Sequence, residues 1–336
     1  VDIVANCDNG ILIEASDSNS IAEALLSILI EEARWSEFSN NGINGVRKHY
    51  SWQSHSEKTL SRFNTLLPER QTADSDAGQA MRELPAPSFG RRLTNVQHLM
   101  ITDIDNTLVG DDQSMQELFW LLNERREELA WGVATGRSLE LTLDAMTVHN
   151  FPMPDILVCS VGTEIYYGPD LRHDRSWQQH ISYQWKAEAI KEVLSSLKFL
   201  VFQEAEGQRS HKISYYLEEK EDRLQTIQEE LKRHRLRCQI IFSHGQFLDI
   251  LPIRASKGKA IDYLRYKFDF SPLHVMVAGD SGNDEDMIDS AARGLVVSNH
   301  SEELEKLRRK SNIYFSSEAY AAGIIDGLGH YGFLGS

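Results

Sequence analysis

Apolar and polar positions follow three different rhythms along this chain. From Val1 to about Leu67 the spacing is helical: Ile21, Ala24, Leu25, Ile28 and Leu29 share one face of "SNSIAEALLSILIEEARWSEFSNNG". That spacing predicts a helix capped by Ser18 or Ser20 and stopped at Asn40-Asn41-Gly42. "NGILIEA" before it reads as a turn and a short strand. "INGVRKHYSWQSHSEKTLSRFNTLL" after it reads as further helix with a break near Ser51-Trp52. Residues 68–95 then lose apolar content and hold three prolines among Gly, Ser and Asp, the composition of a linker.

From Val96 the rhythm changes. "VQHLMITDID", "WGVATGRS", "DILVCSVGTEIYY", "LHVMVAGDSGND" and "GLVVSN" contain short apolar runs, and amphipathic stretches such as "SMQELFWLLNERREELA" and "SKGKAIDYLRYKF" separate them. Strands alternating with helices predict a Rossmann-like α/β unit, a parallel sheet covered on both faces. Residues 161–249 interrupt it. "HKISYYLEE", "RCQIIFSH" and "QFLDILP" read as antiparallel strands, with "YQWKAEAIKEVLSSL" and "KEDRLQTIQEELKRHR" as helices between them. This predicts an α+β insertion lying over the sheet, so the parallel core comprises 96–160 and 250–336.

Composition narrows the function. A length of 336 residues exceeds one ordinary core, and 41% hydrophobic with 25% charged residues is globular. A net charge of −15 argues against sequence-independent nucleic-acid binding and against docking on an anionic membrane. No apolar stretch reaches the length of a membrane span. Cys7, Cys159 and Cys238 lie far apart with no CxxC pair and read as reduced thiols of a cytoplasmic protein. The opening "VDIVANCDNGILIEA" has neither a basic n-region nor a cleavage site. It reads as the interior of a longer polypeptide.

The chemistry gathers at strand ends. Asp103 and Asp105 follow "HLMI"; Thr135, Gly136, Arg137 and Ser138 follow "WGVA"; Asp280, Ser281, Gly282, Asn283 and Asp284 follow "VMVA". In a parallel sheet these loops open on one edge, where ligands bind. Carboxylates so close repel by some kcal/mol, about 4 at 4 Å for an effective dielectric near 20. A divalent cation removes that cost, and carboxylates with open water positions suit Mg²⁺ beside a substrate phosphate. Lys257, at a helix start, can balance a carboxylate and reach a phosphate oxygen; Lys259 is its rival. Backbone N–H groups of "TGRS" or "DIDNT" can cradle the remaining oxygens. An aspartate is a competent nucleophile at phosphorus once those oxygens are neutralised, and a second aspartate can serve as acid and base.

"DIDNT", "ATGR", Lys257 and "GDSGND", in that order, resemble the four motifs of the haloacid dehalogenase-type (HAD) phosphatases, and the insertion resembles their C2-type cap. The finer resemblance is to the sucrose-phosphate phosphatases, through "DIDNTLVGDD", "SVGTEIYY", "HKISYY", "LDILPIRASKGKAIDYL", "GDSGNDEDM" and "AAGIIDGLGHY". Residues 1–67, through "NGILIEASDSNSIAEALLSILIEEARWSEF" and "YSW", resemble the C-terminal end of a GT-B glycosyltransferase of the sucrose-phosphate synthase kind. The resemblance implies Asp103 as nucleophile, Asp105 as general acid/base, and Thr135 and Lys257 on the phosphate. It implies a metal held by Asp103, Asp280 and the Asp105 carbonyl. Asp284 would hold metal-bound water or orient Lys257, and Asn283 would lie near the phosphate. In the insertion, Gly162, Thr163, Glu164 and Lys212 are implied sugar contacts, whereas Trp177 and Trp185 read as packing. The implied activity is Mg²⁺-dependent hydrolysis of sucrose 6-phosphate, with no glycosyl transfer from this chain. A non-catalytic sugar-phosphate-binding module, or a phosphatase for mannosylfructose or glucosylglycerol phosphate, is the alternative.

Overall fold

This computed structural model describes residues 2–13, 17–30, 32–51, 92–218, 220, 222–243, 245–290 and 292–334. The chain divides into two units, Val1–Glu83 and Leu84–Ser336.

The first unit holds helices Asp2–Cys7, Ser18–Leu29 and Glu32–His49. Asp17, rather than Ser18 or Ser20, caps the second, its carboxylate accepting from Asn19 N–H at 3.0 Å. Where the sequence reads as one helix stopped at residue 42, the structure has two. The first ends at Leu29, and the next runs through Asn40-Asn41-Gly42 to His49. The stop signal is overridden by tertiary contacts: Asn41 donates to the Asp8 carbonyl at 3.1 Å, and Gly45 lies against Cys7. Residues 9–13, read as turn and strand, form no strand. Residues 52–91, read as further helix and linker, lie outside the described residues, as do 14–16. Helix Ser18–Leu29 buries none of its residues, and Leu25, Leu26 and Leu29 stand exposed.

The second unit is built on an eight-stranded sheet. In chain order its strands are β1 (His98–Thr102), β2 (Leu129–Ala134), β3 (Ile156–Cys159), β4 (Glu164–Tyr167) and β5 (Arg172–His173), and later β10 (Val275–Gly279), β11 (Arg293–Val296) and β12 (Ile313–Phe315). Between them come β6 (Leu200–Phe202), β7 (Ile213–Leu217), β8 (Cys238–Ser243) and β9 (Phe247–Pro252). The large sheet runs β12-β11-β10-β1-β2-β3-β4-β5, parallel from β12 to β3. Its central strands are buried on both faces, as a sheet covered by helices requires. Leu99 and Ile101 join one apolar layer while Met100 joins the other. Helices Asp112–Glu124, Leu139–Val148, Lys257–Lys267 and Tyr320–His330 supply the cover, the first three capped by Asp111, Ser138 and Ser256.

A second, antiparallel sheet runs β6-β7-β9-β8. Helices Ala187–Leu194 and Arg223–Arg233 share its apolar cluster of Ile190, Leu194, Ile213, Ile227 and Leu248. This sheet contains the three antiparallel strands read from sequence. One grouping is corrected. Glu164–Tyr167 and Arg172–His173, assigned above to the insertion, extend the large sheet. The turn at 160–163 is too short for a crossover, so β4 returns antiparallel beside β3. Trp177 is buried, as its packing role requires. Among the described residues no helix is long and apolar enough to cross a membrane.

Candidate active site

All three acidic or hydroxyl loops open on one edge of the large sheet. Asp103 N–H donates to the Ala278 carbonyl at 2.9 Å, and Thr135 N–H to the Val158 carbonyl at 2.8 Å, so each loop is registered on a neighbouring strand. Ile104 turns into the core, and Asp103 and Asp105 both line the cleft.

Lys257 is the centre of the arrangement. Its ammonium is wholly buried, 2.7 Å from Asp103 Oδ1 and 2.6 Å from Asp284 Oδ1, and donates to Asn283 Oδ1 at 3.2 Å. Burial opposes its charge, but Asp103 and Asp284 outweigh burial and hold it above the ordinary lysine value. Burial pushes Asp103 up to about 8, with Asp284 and Asp280 adding to the rise against the pull of Lys257. Burial and Asp284 likewise push Asp280 up to about 7, although Thr107 donates to its Oδ1 at 3.0 Å.

Asp103, Asp280 and Asp284 offer carboxylate oxygens within 4.8 Å of one another. Asp284 is committed: one oxygen holds Lys257, and the other accepts from the Asp280 and Ser281 N–H groups at 3.2 and 3.3 Å. The remaining oxygens, Asp103 Oδ2 and Asp280 Oδ2, take no hydrogen bond from the described residues. Two free carboxylate oxygens at the end of a cluster with surplus negative charge fit a hard divalent cation.

The loop after β2 supplies the next wall. Thr135, Gly136, Arg137 and Ser138 all line the cleft. Thr135 is buried and its hydroxyl accepts from Arg137 N–H at 3.2 Å; Ser138 also caps its helix, accepting from Leu141 N–H at 3.3 Å. Arg137 forks onto Asp105, Nε to Oδ2 at 2.8 Å and Nη2 to Oδ1 at 2.6 Å. Such a bidentate pair fixes the carboxylate's plane.

From the small sheet Lys212 reaches across, 3.5 Å from Asp249 Oδ1 and donating to the Gly136 carbonyl at 3.4 Å. The cleft between, of about 370 Å³, is in the range of small-molecule sites. Gly162, Thr163 and Glu164, grouped with Lys212 from sequence, are not among its lining residues. They lie where the chain folds back into β4, with Glu164 next to the lining residues Ser160 and Arg209. Thr163 bonds the Ser160 carbonyl at 3.0 Å, and Glu164 accepts from Ser160 Oγ at 3.2 Å. Sequence reasoning missed Gln203, Glu206, Arg209, Phe247 and Asp249, which do line it. Asp249 carried a signal, a lone acid within the apolar strand "QFLDILP"; the 203–209 turn carried none.

The family described as sucrose-6F-phosphate phosphohydrolase matches residues 96–332. Sucrose-phosphatase 1 of Nicotiana tabacum is 33% identical over 258 residues, which cover 71% of this chain and 60% of that protein. The chain thus spans less than two thirds of the length of such plant relatives. Mannosylfructose-phosphate phosphatase of Agrobacterium fabrum is 30% identical over 241 residues, 70% of this chain and 96% of that protein. The solved structure of the sucrose-phosphatase from Synechocystis, in complex with sucrose and phosphate, superposes with a TM-score of 0.67 at 32% identity, covering 70% of this chain and 98% of that one.

Proposed function

We propose, for a chain that belongs to the sucrose-6F-phosphate phosphohydrolase family, a Mg²⁺-dependent phosphomonoesterase that converts sucrose 6-phosphate to sucrose and phosphate. The observation that carries it is the buried Lys257 bridging Asp103 and Asp284 beside Asp280. Asp103 and Asp280, with the Asp105 carbonyl, would hold the ion, and Asp284 orients Lys257. The ion supplies positive charge against the burial that raises Asp103 and Asp280, and against the phosphate oxygens.

An oxygen of Asp103 attacks phosphorus, and the P–O bond to the sugar breaks as an aspartyl phosphate forms. Asp105 gives its proton to the departing sugar oxygen. It then takes a proton from water, whose oxygen attacks the aspartyl phosphate, releasing phosphate and restoring Asp103. Thr135, Gly136 and Lys257 steady the transferring group, and Asp105 leaves its fork with Arg137 as substrate enters, which frees an oxygen to carry the proton. The small sheet, acting as the cap, excludes water and presents Lys212, Arg209 and Asp249 to the sugar hydroxyls. Residues 1–67 are the tail of a sucrose-phosphate synthase-like GT-B domain, joined through 68–95 to the phosphatase in a cytoplasmic protein. The exposed apolar residues of helix Ser18–Leu29 support a covering partner for that tail.

The test is release of inorganic phosphate from sucrose 6-phosphate with Mg²⁺, run beside a panel of sugar phosphates. Saturable release supports the enzyme; tight binding without release indicates a non-catalytic module. The Agrobacterium relative, matched over nearly its whole length, favours one further reading, mannosylfructose phosphate as substrate, and the panel separates the two. Asp103→Asn should abolish turnover while circular dichroism stays unchanged; sizeable residual activity rejects Asp103 as the nucleophile.

A further inference from the structure

Between β3 and β4 the chain places three successive residues in the left-handed region: Ser160 (φ 53°), Val161 (φ 58°) and Gly162 (φ 87°). That geometry is unusual for serine and an outlier for a β-branched valine. Such strain persists where the surroundings over-determine the backbone. On one side Ser160 N–H donates to the Arg137 carbonyl at 2.7 Å and Val161 N–H to the Thr135 carbonyl at 3.0 Å. On the other, Gly162 lies against the peptide that starts the Lys257 helix. A Cβ on Gly162 would sit 2.2 Å from the Ser256 carbonyl oxygen and 2.6 Å from Lys257 N. The three residues therefore fill the space between the 135–138 loop and Lys257.

The same stretch of chain holds the far end of that helix. The Gly162 carbonyl accepts from Trp177 Nε1 at 3.0 Å, and Trp177 N–H donates to Asp174 Oδ1 at 3.0 Å. Asp174 Oδ2 accepts at 2.7 Å from Lys267, the last residue of helix Lys257–Lys267. Tyr263, in the middle of the helix, donates to Asp174 Oδ1 at 3.2 Å, and its ring lies 5.1 Å from that of Trp177. Asp174 and Trp177 are buried, and neither they nor Gly162 are among the cleft-lining residues.

We propose that residues 160–177 form a positioning clamp that fixes Lys257 relative to the 135–138 loop, so that Gly162 and Trp177 govern turnover without touching substrate. This rests on the phosphatase reading above. The clamp acts through one ammonium that must meet two carboxylates and a phosphate at once. A displacement of about 1 Å in such a group costs on the order of 10²-fold in rate.

The experiment compares the full chain with its Gly162→Ala and Trp177→Phe variants. It reads kcat, KM, thermal midpoint, and the affinities for orthovanadate and inorganic phosphate. Orthovanadate mimics the five-coordinate phosphorus of the transition state, so its affinity follows transition-state complementarity. Gly162→Ala should lower kcat about 100-fold, and Trp177→Phe, which strips one buried hydrogen bond, about tenfold. KM and phosphate affinity should stay near wild type while vanadate affinity falls in step with kcat. Wild-type kcat in the folded variants overturns the clamp, as does equal weakening of vanadate and phosphate. Should Gly162→Ala fail to fold, Trp177→Phe decides. A wild-type chain that releases no phosphate overturns the phosphatase reading. The vanadate-to-phosphate affinity ratio, read by calorimetry, then decides the clamp, and an unchanged ratio in the variants sinks it.

Discussion

Asp174 shows how one buried carboxylate stays charged. Burial works to raise its pKa, but hydrogen bonds from Lys267 and Tyr167, together with the Trp177 amide, outweigh burial and hold it below the ordinary value. A carboxyl depressed on folding stabilises fully above its unfolded value, about 3.9, and that stabilisation is lost as pH falls through the lower folded value. Asp174→Asn should therefore flatten the acid limb of stability. Urea unfolding from pH 7 down to pH 3 checks this, and an unaltered slope refutes it. At this scale the catalytic candidates were legible: Asp103, Asp105, Thr135, Lys257, Asp280 and Asp284 each end a strand or start a helix, and their spacing aims them at one place. The surroundings of Gly162 and Thr163 were not, because they depend on how the chain turns after β3. Nor was the Arg137–Asp105 fork, since its partners stand on separate loops 32 positions apart.

Helices and strands were read well where periodicity was sustained and poorly where a local signal met a tertiary demand. Asn40-Asn41-Gly42 looks like a terminator, yet the helix continues, and Gly45 three residues on has a different purpose. A Cβ there would stand 2.5 Å from Cys7 Cβ, so the glycine lets helix Asp2–Cys7 close on helix Glu32–His49. Gly45→Ala thus sets two effects in opposition. Helix propensity gains about 1 kcal/mol, whereas the overlap displaces the shorter helix. The overlap should win, and hydrogen exchange of amides 2–7 should speed up; slower exchange would mean propensity dominates. The β4 strand was misgrouped for a related reason. Alternating "EIYY" fixes it as a strand, but only the length of the preceding turn decides which sheet it joins.

The cleft exists only because two sheets face each other, and the contacts spanning it come from long polar side chains whose reach a sequence does not reveal. Arg209 is the clearest. It lines the cleft, lies 2.5 Å from Glu140 on the large-sheet side, and approaches Glu164 at 4.0 Å. Glu140 is largely exposed, so the pair is worth at most about 1 kcal/mol. Arg209→Ala should then raise KM by about two- to fivefold, and Glu140→Ala, which leaves Arg209 in the cleft, should raise it less and only at low salt. Steady-state kinetics at two ionic strengths tests both. The central pairing of the large sheet has a consequence in time. Strand β1 lies between β2 and β10, and Asp103 meets a lysine 154 positions later, while Thr107 meets an aspartate 173 positions later. Contacts this distant in sequence form late and slow folding. During synthesis Asp103 is made before its counter-charge and its companion carboxylates Asp280 and Asp284, which emerge only after the whole small sheet has been translated. A nascent or truncated chain can hold the first aspartates without the lysine and carboxylates that complete the cluster.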